Sequence, residues 1–162
     1  MDSPIKLLIV DDEVQFLDAI SKRLELRDFE VAKARDGFEA LEKAEEEKFD
    51  LALLDLKMPG MDGKEVLAKL KAAHKFLEVI ILTGHGSLDS AVDCTKLGAF
   101  GYLPKPYELE KLIELLRNAY EERMKKKFEA DTARMHEITQ IALGDSPLAV
   151  LRRLRELDDE EK

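Results

Sequence analysis

The stretch Leu51-Ala52-Leu53-Leu54-Asp55-Leu56-Lys57-Met58-Pro59-Gly60-Met61-Asp62-Gly63 decides the fold. Its opening apolar run shows no alternation, which marks a strand buried on both faces, as in a parallel sheet. The run stops at a lone carboxylate followed by a Pro-Gly breaker, so Asp55 sits at the carboxyl end of a core strand. In open α/β sheets that edge is where ligands bind. Asp55 on its own could equally cap a turn, and its neighbours must decide between capping and chemistry.

Upstream, Ile5 to Val10 is a second buried-strand run, and it ends at Asp11-Asp12-Glu13. Phe16, Leu17, Ile20, Leu24 and Leu26 then recur at helical spacing. Phe29 to Ala34 alternates weakly and reads as an edge strand. Asp36-Gly37 is a turn, and Phe38, Ala40, Leu41 and Ala44 mark a second helix that closes on Glu45-Glu46-Glu47.

Downstream, Val66, Leu67 and Leu70 space a third helix over Gly63 to Ala73, with Lys64, Lys69 and Lys71 turned outward. Val79 to Leu82 is a fourth buried strand, which stops at Thr83-Gly84-His85-Gly86-Ser87. Ser87 or Asp89 is expected to cap a fourth helix that Gly98 terminates. Phe100 to Leu103 forms a short fifth strand before Pro104-Lys105-Pro106, and a fifth helix starts near Glu108. Five strands alternating with five helices predict an α/β fold with a doubly wound parallel sheet.

The pattern changes after Tyr120. Glu121 to Lys127 reads as too polar to cover a sheet, while Met124, Phe128, Met135, Ile138 and Ala142 keep a rough heptad seam interrupted by Asp131. Gly144 should stop this helix, Ser146 and Pro147 should open another, and Leu148, Leu151, Leu154 and Leu157 fall along one side of it. The organisation expected is one domain over 1–120 and a helical extension over 121–162. The extension is expected to bury its apolar side chains in a homodimer through the C-terminal helices, with folding back onto its own domain as the second option.

Composition narrows the partners. The 162 residues carry a formal net charge of −9, which disfavours nucleic acid and anionic membrane surfaces. The start of the chain lacks a secretory profile and no apolar run is long enough to span a bilayer, so a cytoplasmic protein is expected. The single cysteine, Cys94, has no internal partner and reads as a small buried filler.

If the first strand is central, Asp11, Asp12 and Asp55 converge. Three carboxylates in one pocket repel one another, and a divalent cation relieves the repulsion. All-oxygen ligands suit Mg2+, with the backbone carbonyl of Lys57 as a further ligand. Thr83 offers a hydroxyl at the next strand end, and Lys105 an ammonium after the fifth strand. Together they make a site for an aspartyl phosphate, with Asp55 as nucleophile. The competing reading leaves Asp11, Asp12 and Glu13 as a solvated cluster at a helix start.

The sequence resembles the receiver domain of two-component response regulators over about Lys6 to Tyr120. The residues that carry the resemblance are Val10-Asp11-Asp12-Glu13, Asp55 to Gly63, Thr83-Gly84 and Tyr102-Leu103-Pro104-Lys105-Pro106. It implies a flavodoxin-like strand order 2-1-3-4-5, Asp55 as phosphoacceptor for a sensor histidine kinase or phosphotransfer protein, and Asp11 and Asp12 as Mg2+ ligands. It also implies Thr83 and Tyr102 as the switch pair, Lys105 as the phosphoryl contact, and a cis Lys105–Pro106 peptide. Lys57 and His85 fall where the family tunes the lifetime of the phosphoryl group.

Many members continue into an output domain. The segment after Tyr120 is too short for a second core, so a stand-alone, non-enzymatic receiver that signals to a downstream protein is expected, with a shortened version of a longer chain as the alternative. Two other functions compete. A haloacid-dehalogenase-type phosphohydrolase shares the Asp, Mg2+, Thr and Lys, but it carries an Asp-x-Asp on its first strand where this chain has Asp11-Asp12. The other is a receiver fold that scaffolds without being phosphorylated.

Overall fold

The computed structural model describes residues 3–58, 60–84, 88–144 and 147–160. Strands β1 (Ile5–Val10), β2 (Phe29–Ala34), β3 (Leu51–Asp55), β4 (Glu78–Thr83) and β5 (Gly101–Pro104) form one parallel sheet in the order β2-β1-β3-β4-β5. Helices α1 (Val14–Glu25), α2 (Gly37–Glu46), α3 (Gly63–Ala73), α4 (Leu88–Lys96) and α5 (Leu109–Gly144) connect and cover it, and α6 (Pro147–Glu160) follows. This is the flavodoxin-like, doubly wound architecture with a helical C-terminal extension.

Strand residues alternate between two cores. Leu8, Val10, Ala52, Leu54, Val79 and Ile81 pack with α2 and α3. Leu7, Ile9, Leu51, Leu53, Ile80 and Leu82 pack with α1 and α5. The central strands are fully buried on both sides, which is why they carry no polar alternation. Each such leucine contributes about 2 kcal/mol of burial, several times what an exposed ion pair supplies. Cys94 fills a fully buried position on the α2/α3 side, where burial pushes its thiol up from the ordinary range.

Local signals place the helices with a few corrections. Asp36 caps α2 by accepting from the N–H of Glu39 at 2.8 Å, and Asp62 caps α3 by accepting from Lys64 at 3.1 Å. Leu26 is 85% exposed because α1 ends one residue before it. Phe38 is exposed too, since the buried face of α2 runs through Gly37, Ala40 and Ala44, about a quarter-turn away. Gly37 tolerates no larger residue: a Cβ there would lie 2.5 Å from Val66. Lys71 was expected outside, but it is half-buried and donates to the carbonyl of Leu77 at 2.8 Å. Asp89 lies inside the first turn of α4 rather than at its cap, and Ser87 and Ser146 are outside the described residues. Gly98 ends the turn after α4 at φ +104°, a conformation that favours glycine.

The expectation for the polar segment after Tyr120 is overturned. Helix α5 does not pause there, and Arg123 and Lys126 cover the amino edge of the sheet through ion pairs. Arg123 donates to Asp50 at 3.0 Å and to the carbonyl of Phe76 at 2.8 Å. Lys126 reaches Glu78, whose side chain is buried, at 2.9 Å. Further along, α6 turns back against α5, held by Arg134–Asp158 and Arg153–Glu137 pairs and by buried Leu157. The covered side of α6 includes Val150, Arg153, Leu154 and Leu157, leaving Leu148 and Leu151 exposed. No helix among the described residues is long and apolar enough to cross a membrane.

Candidate functional site

The ends of β1 and β3 are neighbours in the sheet, so the residues just past and at those ends share one edge. Asp11 follows Val10 and is fully buried; its N–H donates to the carbonyl of Ala34 at 3.1 Å. Asp55 is the last residue of β3 and is 5% exposed. Asp12 is exposed at the mouth. One carboxylate oxygen from each of the three lies within 4.8 Å of the others. That spacing suits a single hard cation with oxygen ligands.

Two backbone turns aim the acids. The N–H of Glu13 donates to Asp11 Oδ1 at 2.9 Å, and that of Lys57 to Asp55 Oδ1 at 3.0 Å. Each bond leaves the second oxygen, Oδ2, facing Lys105. Its Nζ lies 3.0 Å from Asp11 Oδ2 and 3.6 Å from Asp55 Oδ2. Burial of Asp11 rules out the reading of Asp11 to Glu13 as a wholly solvated cluster.

Burial is the main cause that raises the Asp55 carboxyl above its ordinary range, and the neighbouring Asp11 and Asp12 charges push the same way. The Lys57 N–H and the Lys105 charge oppose the rise without cancelling it. For Lys105, burial alone would lower the ammonium, but the hydrogen bond it donates to Asp11 and the charges of the surrounding carboxylates outweigh it, so it is held above its usual range. The pocket is therefore short of positive charge. Its three acids and one lysine fit an added divalent cation, which would draw Asp55 back toward the carboxylate form.

The other expected residues fall as follows. Thr83 closes β4 opposite Pro104, one strand over from Asp55. Tyr102 lies on β5 and is 40% exposed. The Lys105–Pro106 peptide is cis, as the resemblance implies. Lys57 is exposed, with its ammonium beside Gly84 at the pocket mouth. His85 lies outside the described residues.

One participant escaped the sequence reading. Phe16 on α1 places its ring 4.6 Å below the Lys105 ammonium and takes the edge of Tyr107 at 6.2 Å between ring centroids. Phe16 reads in sequence as an ordinary core-facing position of an amphipathic helix, four residues past Asp12, so only the fold reveals its partner. Phe16, Ile20, Tyr107 and Leu109 also line an apolar cavity of about 580 Å3 that opens beside Lys105. The Tyr107 hydroxyl is buried with no hydrogen-bond partner among the described residues.

A family model described as the response regulator receiver domain matches residues 7–117. The chain is 39% identical over 115 residues to the transcriptional regulatory protein ZraR of Klebsiella oxytoca, covering 71% of this chain and 26% of that one. It is 33% identical over 112 residues to sporulation initiation phosphotransferase F of Bacillus subtilis, covering 69% and 90%. Among solved structures, a receiver domain protein from Methanospirillum hungatei superposes with a TM-score of 0.73 at 36% identity, covering 76% of this chain and 99% of that one. The chain thus spans about a quarter of the length of the transcriptional relative and most of the phosphotransferase.

Proposed function

Because this chain belongs to the receiver-domain family of two-component response regulators, we propose that it takes a phosphoryl group from a phosphohistidine donor onto Asp55, with Mg2+ held by Asp11, Asp12, Asp55 and the Lys57 carbonyl. The observation that carries this reading is the convergence of three carboxylates within 4.8 Å beside a lysine ammonium at one sheet edge. A bound Mg2+ supplies charge neutralisation to the incoming phosphoryl oxygens.

Asp55 provides the attacking carboxylate oxygen. The new P–O bond forms as the donor's P–N bond breaks, and the imidazole leaves with the bonding pair. Lys105 faces the Asp55 oxygen that its backbone contact leaves open, where it can meet a phosphoryl oxygen. Phe16 keeps that ammonium in place. Lys57 beside Gly84, together with His85, stands where the approach of hydrolytic water sets the lifetime of the product.

The same reading makes the protein a switch rather than a turnover enzyme. Thr83 and Tyr102 report phosphorylation to the face made by α4, β5 and α5, and a protein partner reads it there. A net charge of −9 supports a protein rather than a nucleic-acid contact for these residues. Self-association belongs to this proposal also: Met124, Phe128 and Met135 stay exposed on α5 and suit a second copy of the helix.

The test is direct. Incubated with Mg2+ and a small acyl phosphate, the full chain gains one phosphoryl group by intact mass, and Asp55→Asn gains none. Labelling of Asp55→Asn to the parent's extent would end the assignment. Sustained turnover of a generic phosphate ester would instead favour the phosphohydrolase.

A further inference from the structure

The end of the sheet opposite Asp55 holds a second charged cavity. It measures about 500 Å3 and lies where α5 passes the α2–β3 and α3–β4 loops. Lys48 enters from the first loop, His74 and Lys75 from the second, and Arg123, Lys127 and Arg134 from α5. Asp131 is the one carboxylate among its described lining residues. In a chain of net charge −9, this is a local reversal of sign.

The cations divide into two groups. Arg123 is committed to Asp50 and the Phe76 carbonyl, and Arg134 to Asp158. Those pairs brace the cavity walls. Lys48 and Lys127 make no ion pair with the described residues, and Lys75 makes only a contact over the ring of Phe76 at 5.5 Å. Lys75 and Arg134 also line a smaller cavity next door together with Glu137 and Glu160, whereas Lys48 and Lys127 line only this one.

Three lysine ammoniums on three different segments, lining one cavity beside paired guanidiniums, match a flexible chain of negative charges. Lysine binds phosphate as a point charge and does not demand the planar geometry of a carboxylate. The volume accommodates a triphosphate, with or without a nucleoside. We propose that this cavity binds a small polyphosphate anion. Its occupancy would pin α5 to the receiver loops at the base of the sheet, a full sheet length from Asp55.

The test titrates the full chain with inorganic tripolyphosphate by calorimetry, in chelator, so that no metal recruits the anion to the acidic pocket. The expected result is saturable binding of one ligand per chain that weakens with salt, with amide shifts in both loops and in the middle of α5. The Lys48→Ala/Lys127→Ala double variant should bind at least about tenfold more weakly, the scale of losing charge-assisted contacts. Lys96→Ala on α4 should match the parent. A parallel titration with ATP separates the sources: equal affinity assigns recognition to the phosphates, and tighter binding adds a contact to the base. Absence of saturable binding to both, or binding that the double variant leaves unchanged, overturns the proposal. Neither outcome bears on phosphorylation of Asp55, which is read by mass in the presence of Mg2+.

Discussion

Asp55 is buried at the expense of its charge. With burial raising its carboxyl, the folded state favours the protonated form more than the unfolded chain does. Its contribution to stability is therefore fully present below the ordinary carboxylate range and is lost as pH rises through the raised value. In chelator at neutral pH, Asp55→Asn should melt higher than the parent, by roughly 2–5 °C for a domain of this size. The gap should close as pH falls toward the ordinary range. A variant that melts lower at neutral pH, measured by thermal denaturation monitored by circular dichroism, would show that the Lys57 N–H and Lys105 more than offset the burial.

At the scale of elements, α5 is the informative case. Met124, Phe128, Asp131, Met135, Ile138 and Ala142 follow a heptad, yet apart from half-buried Ile138 the side of the helix that the molecule covers lies one residue earlier, at Arg123, Lys127, Ala130, Arg134, Glu137 and Ile141. One residue is about 100° of helix rotation, enough to turn an apolar seam outward. Phe128 remains 71% exposed and Met135 62%. If a second copy covers that seam, the parent sediments as a dimer and Phe128→Ser/Met135→Ser as a monomer. A parent that stays monomeric at high concentration removes the seam from self-association. Helix α6 is held differently, by one buried leucine and by two partly exposed ion pairs to α5, worth little each. Its amides should exchange at least about tenfold faster than those of α1 or the first turns of α5, and comparable protection by hydrogen exchange would contradict this.

Across the whole molecule, the two ends of the sheet have different work. The carboxyl edge gathers Asp11, Asp12, Asp55 and Lys105, while the amino edge anchors α5 through Asp50 and Glu78. Helix α5 reaches both: it begins four residues after Lys105 and, at Arg123 and Lys126, meets the amino edge through Asp50 and Glu78. If Thr83 couples phosphorylation to the α4–β5–α5 face, Thr83→Ala should still take up one phosphoryl group. Its amide shifts on that face should shrink to less than about half of the parent's. Shifts as large as the parent's, read by NMR, would take Thr83 out of the switch.

The central strands were legible in the sequence because burial on both faces forces Leu7 to Val10, Leu51 to Leu54 and Val79 to Leu82 to be apolar without alternation. The acids were legible because a strand end is the one place where such a run can stop at a charge. The positions of Asp11, Asp12, Asp55 and Lys105 along the chain followed from those ends, and only the tertiary structure set their distances and the raised carboxyl of Asp55. Phe38 and Leu26 show the limit at the residue scale: periodicity identifies an apolar face but not where a helix begins or stops, and a shift of one residue exposes a large side chain. The tail shows it at a larger scale. Its apolar heptad was plain in the sequence, yet Arg123 and Lys126 turned α5 to satisfy Asp50 and buried Glu78, because a buried carboxylate without a partner costs more than an exposed phenylalanine.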